Sequence, residues 1–232
     1  MALIKVDRQD KLIGIVDKEK AHQGKGILHR AFSILVIKDG LAHFSSRQNR
    51  RINSAIPKDQ VELLLQKRSQ YKKLWPFFWS NTCCSHLSVE GKGCFEPGSS
   101  DIFEPGSGRE QKAFGKGELI KQAERRLEEE MGFTVPLKEI GKLYYQAQYK
   151  DVGSEHEITH LLLGKYDGQE IKPDPQEAAD YRWLSLVDLK KEIKNKPEEF
   201  TPWFKKIIEI FGNSNFSCDK KVLAKFISRE TF

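Results

Sequence analysis

The segment Arg125-Arg126-Leu127-Glu128-Glu129-Glu130-Met131-Gly132-Phe133 ends the clearest helix of the sequence. Apolar residues repeat at helical spacing along residues 118–131, at Leu119, Ile120, Ala123 and Leu127. Gly132 stands where such a helix ends, because the position after the last turn often has the left-handed backbone that glycine adopts readily. The sequence therefore predicts an amphipathic helix whose last turn is rich in carboxylates.

Strand-like segments flank this helix on both sides. Upstream, residues 1–18 have the pattern of a hairpin, and apolar runs cover residues 31–37 and 61–68. Downstream, strand patterns cover residues 141–148, 157–164 and 181–184, and helical patterns cover residues 187–193 and 203–211. This order predicts an α+β chain, with helices against a mixed β-sheet, built as one domain over residues 1–232.

Residues 90–116 differ in kind from the rest of the chain. They contain the sequence Phe-Glu-Pro-Gly-Ser twice, at residues 95–99 and 103–107, and its proline and glycine favour turns. The segment predicts a flexible surface insertion. Residues 213–232 are expected to pack as a short terminal helix without an assigned function.

Composition excludes several classes of protein. The 232 residues carry 39 Lys and Arg against 33 Asp and Glu, a formal charge of +6, and four cysteines that form no disulfide framework. No apolar run approaches the ~20 residues that cross a bilayer. The N-terminus lacks the apolar core of a secretory signal, so we expect a cytoplasmic protein. The basic excess fits a mixed-charge surface, a nucleic acid partner or a small anionic substrate.

Two groups of carboxylates are candidates for metal binding. Residues 128–130 are glutamates within one helical turn and offer the oxygen ligands that Mg²⁺ prefers, although such turns are more often solvated surface. Glu155 and Glu157 alternate along a predicted strand, which places both carboxylates on one face.

Thiol and imidazole groups form two further candidates. Cys84 precedes His86 by two positions and follows Trp79, a setting for a reactive thiol or half of a metal site, whereas an isolated cysteine is more often buried and structural. His22 and His29 flank a turn rich in glycine and lysine, and two histidines ligate a transition metal if the fold brings them together.

The order Arg, apolar, Glu-Glu, Gly at the end of the helix resembles the second half of a Nudix box. Arg126 stands where that box has a glutamate, and Gln111 and Gly117 fall at the places of its upstream Gly and Glu. Together the groups resemble type I isopentenyl-diphosphate isomerase, a Nudix-fold family, over about residues 5–210. The matching residues are Lys18, Ala21, His22, residues 28–33, Arg68, Lys72, Trp75, Pro76, Trp79, Asn81, residues 84–86, Arg125, Arg126, residues 130–132, Tyr145, Ala147, Glu155, Glu157 and residues 201–203.

The resemblance implies a Nudix-type α/β/α sandwich with an N-terminal hairpin and C-terminal helices. It also implies an isomerase of isoprenoid biosynthesis, which protonates an alkene and removes a proton from the opposite face. Cys84 matches the thiol on one face of the substrate and Glu157 the carboxylate on the other. Tyr145 matches the hydrogen-bond partner of that carboxylate, and Trp203 matches an indole that stabilises the carbocation by a cation–π contact.

The same resemblance implies two metal ions and a diphosphate site. One divalent ion, zinc, manganese or magnesium, would be held by His22, His29, His86, Glu155 and Glu157. Glu130 matches the ligand of a second ion, Mg²⁺, that accompanies the diphosphate. The cations that match the diphosphate contacts are Lys18, Arg68, Lys72 and Arg126.

Three alternatives remain open from the sequence. Cys83 adjoins Cys84, and the spacing to His86 favours Cys84 as the reactive thiol. A Nudix diphosphate hydrolase would use Glu129 or Glu130 and a water. A basic nucleic acid binder would explain the net charge without any need for the thiol. The isomerase interpretation predicts a small diphosphate as the partner, with neither nucleic acid nor membrane, and a monomer with a dimer as the alternative.

Overall fold

The computed structural model describes residues 1–39, 61–88 and 116–212. Its strands are β1 (Ala2–Val6), β2 (Leu12–Asp17), β3 (His29–Asp39), β4 (Val61–Arg68), β5 (Trp79–Ser80), β6 (Cys83–His86), β7 (Leu137–Tyr149), β8 (Gly153–Lys165) and β9 (Ala178–Ser185). Its helices are α1 (Lys18–Ala21), α2 (Lys116–Met131), α3 (Leu186–Asn195) and α4 (Pro202–Gly212), with a 3₁₀ turn at Pro197–Glu199. The predicted insertion, apart from Lys116, and the C-terminal tail lie outside the described residues.

The nine strands form one mixed sheet. Its main path runs β2-β1-β3-β4-β5, while β6 and β8 also pair with β3, β7 pairs with β8, and β9 pairs with β4. The pairing of β3 with β8 is parallel and runs from His29↔Glu157 to Ile37↔Lys165, whereas the other strand pairs are antiparallel. Strand β3 therefore organises the sheet, because four other strands pair with it.

Two cores lie on opposite faces of the sheet. Leu119, Ala123 and Leu127 of α2 are buried in the core on one face, at the spacing that the sequence pattern predicts. Phe204 and Ile207 of α4 are buried in the other core. Helices on both faces of a mixed sheet confirm the predicted α/β/α architecture with its N-terminal hairpin and C-terminal helices. No helix in the described part of the chain is long and apolar enough to cross a membrane.

Gly132 ends α2 as the sequence predicts. Its φ of 76° lies in the left-handed region, and its N–H donates to the carbonyl of Glu128 at 2.9 Å. A Cβ at this position would lie 2.5 Å from the carbonyl oxygen of Lys172, so the following loop packs directly on the helix end. This close contact brings the loop that precedes β9 beside the carboxylates of the last helical turn.

Candidate active site

Five side chains from four parts of the chain meet beside the sheet, and we call them the His/Glu group. They are His22 after α1, His29 at the start of β3, His86 at the end of β6, and Glu155 and Glu157 on β8. One possible ligand atom of each lies within 4.8 Å of those of all the others. The structure thus brings together all five residues for which the sequence predicts a shared metal site.

Strand register explains most of this convergence. The parallel pairing sets His29 opposite Glu157, and the antiparallel pairing of β3 with β6 sets His86 opposite Ala31. Glu155 points to the same face as Glu157 because successive side chains of a strand alternate. The predicted alternation of these two carboxylates agrees with the structure.

A close backbone contact places His22. Its carbonyl accepts the N–H of Ser154 at 2.9 Å, next to Gly153 at the start of β8. A Cβ on Gly153 would lie 2.6 Å from that carbonyl oxygen, so only glycine permits the approach. The side chain of Asp17 caps α1 by accepting from the N–H groups of Glu19 and Lys20, which fixes the turn that leads to His22.

Two of the imidazoles have a tautomer that suits a metal ion. Nδ1 of His22 lies 2.6 Å from the carbonyl oxygen of Lys18, and Nδ1 of His29 lies 2.7 Å from that of Ile27. A carbonyl only accepts, so each Nδ1 carries a proton, and Nε2 is the ring nitrogen that faces the other members of the group.

Both Nε2 atoms face carboxylates. Nε2 of His22 lies 2.9 Å from Oε2 of Glu155, and Nε2 of His29 lies 3.6 Å from Oε1 of Glu157. Nε2 of His29 and Oε2 of Glu155 are buried without a hydrogen-bond partner among the described residues. A divalent cation between them would satisfy both atoms, so the donor set fits a metal ion whose ligating histidines are oriented by carbonyls.

The electrostatics of the group reflect its two carboxylates. Burial alone would lower the pKa of His86, but hydrogen bonds to Glu155 and Glu157 outweigh it and raise the pKa to about 9. Burial would raise the pKa of both carboxyls, and the neighbouring histidines instead hold both below their usual values. Positive charge next to the two carboxylates is therefore favoured in this group.

The thiol of Cys84 lies in a polar niche of its own. Its Sγ–H donates to Oδ1 of Asn81 at 2.9 Å, and Nε1–H of Trp203 donates to its sulfur at 3.1 Å. The hydroxyls of Ser33 and Ser80 lie 3.6 and 3.9 Å away. Burial raises the pKa of the thiol to about 11, so Cys84 keeps its proton at neutral pH.

A short contact path joins this thiol to Glu157. The indole of Trp203 packs beside the ring of Tyr145, with 5.9 Å between their centroids. The hydroxyl of Tyr145 donates to Oε2 of Glu157 at 2.5 Å, and burial raises the pKa of this tyrosine well above its usual value. A protonated thiol and an ionised carboxylate thus flank one buried aromatic pair. Cys83 has no such neighbours, because it is fully buried in the core on the side of α2.

Two of the predicted diphosphate cations belong to one ion network. Arg126 donates to Glu129 at 2.7 Å, to Glu130 at 2.6 Å and to Glu177 at 3.2 Å. Lys72 pairs with the other oxygen of Glu177. Nε of Arg126 is buried and has no hydrogen-bond partner within the described ranges.

The other two predicted cations lie near this network or near the thiol. Desolvation, together with the charges of Lys72 and Arg126, lowers the pKa of Lys18, which places its ammonium close to theirs. Nη2 of Arg68 donates to the carbonyl of Leu74 at 2.9 Å, and its guanidinium lies 5.4 Å from the ring centre of Trp203.

Glu130 is separate from the His/Glu group, as expected for the ligand of a second ion. Its side chain is buried, and its oxygens accept from Arg126 and from Nε2 of Gln66 at 3.2 Å. Glu177 was not predicted from the sequence as a site residue. Its only sequence signal is a carboxylate shortly after Asp174-Pro175, before a strand. The oxygen donors of Glu130 and Glu177 suit Mg²⁺ in kind.

A second group of charges, which we call the Asp10 network, joins the turn before β2 to strands β3, β7 and β8. Oδ1 of Asp10 accepts from Arg30 at 2.7 Å, and Oδ2 accepts from Lys142 at 2.5 Å and lies 3.0 Å from Nε2 of His160. Nδ1 of His160 lies 2.7 Å from Glu139. Burial would raise the pKa of Asp10, but these hydrogen bonds hold it well below its usual value. No pattern in the sequence predicts this network.

Comparisons with known proteins agree with the geometry. The model of the NUDIX domain family matches residues 49–204, more than half of the chain. Isopentenyl-diphosphate Delta-isomerase 2 of Photorhabdus laumondii is 35% identical over 207 residues, 89% of each chain. The isopentenyl-diphosphate Delta-isomerase of Burkholderia multivorans is 34% identical over 90% of this chain and 92% of that protein. A crystal structure from Deinococcus radiodurans has a TM-score of 0.56 at 11% identity over 90% of this chain and 98% of that one, a likeness of fold alone.

Proposed function

The chain belongs to the NUDIX domain family and to the isopentenyl-diphosphate Delta-isomerases, and we propose on this basis that it interconverts isopentenyl and dimethylallyl diphosphate. The observation that carries the proposal is the protonated thiol of Cys84 and the ionised carboxylate of Glu157 on either side of Tyr145 and Trp203. An allylic isomerisation needs two such groups, one that holds a proton and one that lacks it.

The reaction balances with one proton gained and one lost. Addition of a proton to the terminal methylene of isopentenyl diphosphate gives a tertiary carbocation, and loss of a proton from the neighbouring carbon gives the dimethylallyl isomer. In our proposal Cys84 and Glu157 exchange these protons on opposite faces, and the hydroxyl of Tyr145 sets the protonation of Glu157. The buried indole of Trp203 offers its ring to the cation, and the aromatic surroundings exclude water that would trap it.

We assign the His/Glu group to one divalent ion, with zinc, manganese and magnesium as the candidates. When bound, this ion would compensate the charge of the two glutamates and set how readily Glu157 takes a proton. His22 and His29 would contribute Nε2, since their Nδ1 atoms are committed to carbonyls. His86 would complete the set, and its hydrogen bond to Glu157 at 3.0 Å keeps that carboxylate at the centre of the group.

We assign the diphosphate to Lys18, Lys72, Arg126 and Arg68, together with Mg²⁺ at Glu130. Arginine binds phosphate oxygens in a bidentate manner, and Arg126 replaces a carboxylate of the Nudix box, so the helix end gains a phosphate contact there. We also propose that the chain is a single domain that acts in the cytoplasm as a monomer. In this proposal it binds neither nucleic acid nor membrane and needs no protein partner.

A deuterium assay tests the function. Purified protein, Mg²⁺ and isopentenyl diphosphate in D₂O should yield dimethylallyl diphosphate that carries deuterium, without release of phosphate. Release of monophosphate would instead favour a Nudix diphosphate hydrolase. Replacement of Cys84 by Ala should abolish turnover, whereas Cys83→Ala, at the adjacent buried thiol, should retain it if the folded protein is recovered. Retained activity in Cys84→Ala would refute the assignment of the thiol.

A further inference from the structure

Glu177 lies between the two cations of the ion network that we assign to the diphosphate. One carboxylate oxygen accepts from Arg126 at 3.2 Å, and the other accepts from the ammonium of Lys72. These cations come from different elements, the helix α2 and the loop after β4. Glu177 therefore occupies donors that a phosphate oxygen would otherwise use.

The backbone around Glu177 is held from two sides. Its N–H donates to the carbonyl of Asp174 at 2.9 Å, and its carbonyl accepts from the N–H of Ser69 at 3.0 Å. The N–H of Asp174 donates to the carbonyl of Glu130 at 3.0 Å, and the hydroxyl of Ser69 donates to the carbonyl of Gln176 at 2.5 Å. Because the loop is anchored both to α2 and to the end of β4, its backbone holds Glu177 beside Lys72 and Arg126.

The cations and carboxylates of the network are already paired. Its ion pairs join three cations, Lys72, Arg125 and Arg126, to three carboxylates, Glu129, Glu130 and Glu177. An anion that binds Lys72 or Arg126 must therefore displace an existing ion pair. An anion that arrives with a divalent cation brings compensation for the displaced carboxylates.

We propose that Glu177 is a selectivity residue that keeps free anions off Lys72 and Arg126 and makes entry of a diphosphate depend on an accompanying divalent cation. This inference rests on the proposed function. In this role Glu177 opposes the binding of a metal-free diphosphate, so removal of its charge should improve that binding.

Calorimetric titration with inorganic pyrophosphate tests the proposal. The intact protein is passed through buffer freed of divalent ions by resin, without a chelator, and titrated with and without millimolar Mg²⁺. In the native protein, affinity should rise strongly with Mg²⁺. In Glu177→Gln, metal-free affinity should rise about tenfold, the order expected for one unit charge a few ångströms away in a partly exposed site, and the gain from Mg²⁺ should shrink.

Two variants serve as controls. Glu177→Asp keeps the charge and should keep the native dependence on Mg²⁺. Glu62→Gln removes the carboxylate of the Lys38–Glu62 pair, whose side chain is 30% exposed against 22% for Glu177, and should change nothing. If Glu177→Gln does not fold, Lys72→Met provides the test, because it leaves Glu177 with Arg126 alone of these two cations and should enlarge the gain from Mg²⁺.

The outcomes separate this inference from the function on which it rests. Unchanged metal-free affinity in Glu177→Gln overturns the inference, and so does weaker affinity in both conditions, which would mean that Glu177 merely holds the cations in place. An unchanged gain in Lys72→Met also overturns it. If one of these results is found and the native protein still isomerises isopentenyl diphosphate, the proposed function stands and only the role of Glu177 is refuted. If the native protein neither isomerises isopentenyl diphosphate nor binds pyrophosphate with Mg²⁺, the proposed function and the role of Glu177 are both refuted.

Discussion

The His/Glu group and the Asp10 network both use strands β3 and β8 and both place histidine beside carboxylates, yet their hydrogen bonding differs. Each oxygen of Asp10 accepts from cations, and both ring nitrogens of His160 face carboxylates. In the His/Glu group, His22 and His29 donate from Nδ1 to backbone carbonyls and turn Nε2 toward Glu155 and Glu157.

This difference separates a structural role from a ligand-binding one. A buried charge network that satisfies its own members stabilises the fold and has no need of a ligand. In the His/Glu group, Nε2 of His29 and Oε2 of Glu155 are buried without a hydrogen-bond partner among the described residues, which leaves both atoms available to a cation. Histidine and carboxylate content alone therefore does not distinguish the two groups, whereas their hydrogen-bond partners do.

The largest expected effect is on catalysis in Glu157→Gln. This change removes the carboxylate that accepts a proton, so kcat should fall about 10³-fold while the melting temperature changes little. The matched change Glu139→Gln, in the Asp10 network, should leave kcat within about threefold, since its contact with His160 lies outside the His/Glu group. Steady-state rates with isopentenyl diphosphate give kcat for both variants. An equal loss of kcat in the two variants would contradict the distinction between the His/Glu group and the Asp10 network.

The second effect is on stability in Asp10→Asn. The amide cannot balance Arg30, Lys142 and His160, so the free energy of unfolding should fall by about 3 kcal/mol, as when one partner of a buried ion pair is removed. Urea denaturation measures this loss. The partly exposed pair of Lys38 and Glu62, which Glu62→Gln removes, should contribute less than about 1 kcal/mol. A loss in Asp10→Asn no larger than that would show that the network contributes little to the fold.

The third effect is stabilisation by a divalent ion. Addition of zinc or manganese to metal-free protein at about 100 times its dissociation constant should raise the free energy of unfolding by about 2.7 kcal/mol. His29→Gln should lose most of this gain, because its Nε2 is a proposed ligand, and His160→Gln should keep it. A gain that survives in His29→Gln would place the ion elsewhere.

The smallest effect concerns acid pH. The pKa of Asp10 is lowered in the folded state, so its contribution to stability is present above about pH 4, the usual pKa of an aspartate, and is lost as the pH falls toward the lowered value. The stability difference between the native protein and Asp10→Asn should therefore narrow below about pH 4 in denaturation curves. A constant difference from pH 6 to pH 2 would contradict this account.

The sequence predicts the main elements well, because they depend on local patterns. The helical repeat of Leu119, Ala123 and Leu127 and the alternation of Glu155 and Glu157 are visible without a structure. The strand patterns at residues 141–148 and 157–164 miss the first four residues of β7 and of β8, which carry no strong apolar alternation.

Contacts that depend on strand register could not be predicted from the sequence. The Asp10 network joins a turn, β3, β7 and β8, and no spacing along the chain indicates that Asp10 and His160 meet. The proposed role of Glu177 likewise depends on its contacts with Lys72 and Arg126, which lie far from it in sequence. The direction of the imidazole protons depends on the carbonyls of Lys18 and Ile27 and is a property of the folded backbone alone.

The position of Trp203 has a consequence for how the enzyme matures during synthesis. All residues of the His/Glu group have left the ribosome once residue 157 has emerged. The indole that donates to Cys84 follows only with α4, after β9 and α3 have been made. The proposed metal ligands are therefore synthesised before the contact that completes the surroundings of the proposed catalytic thiol.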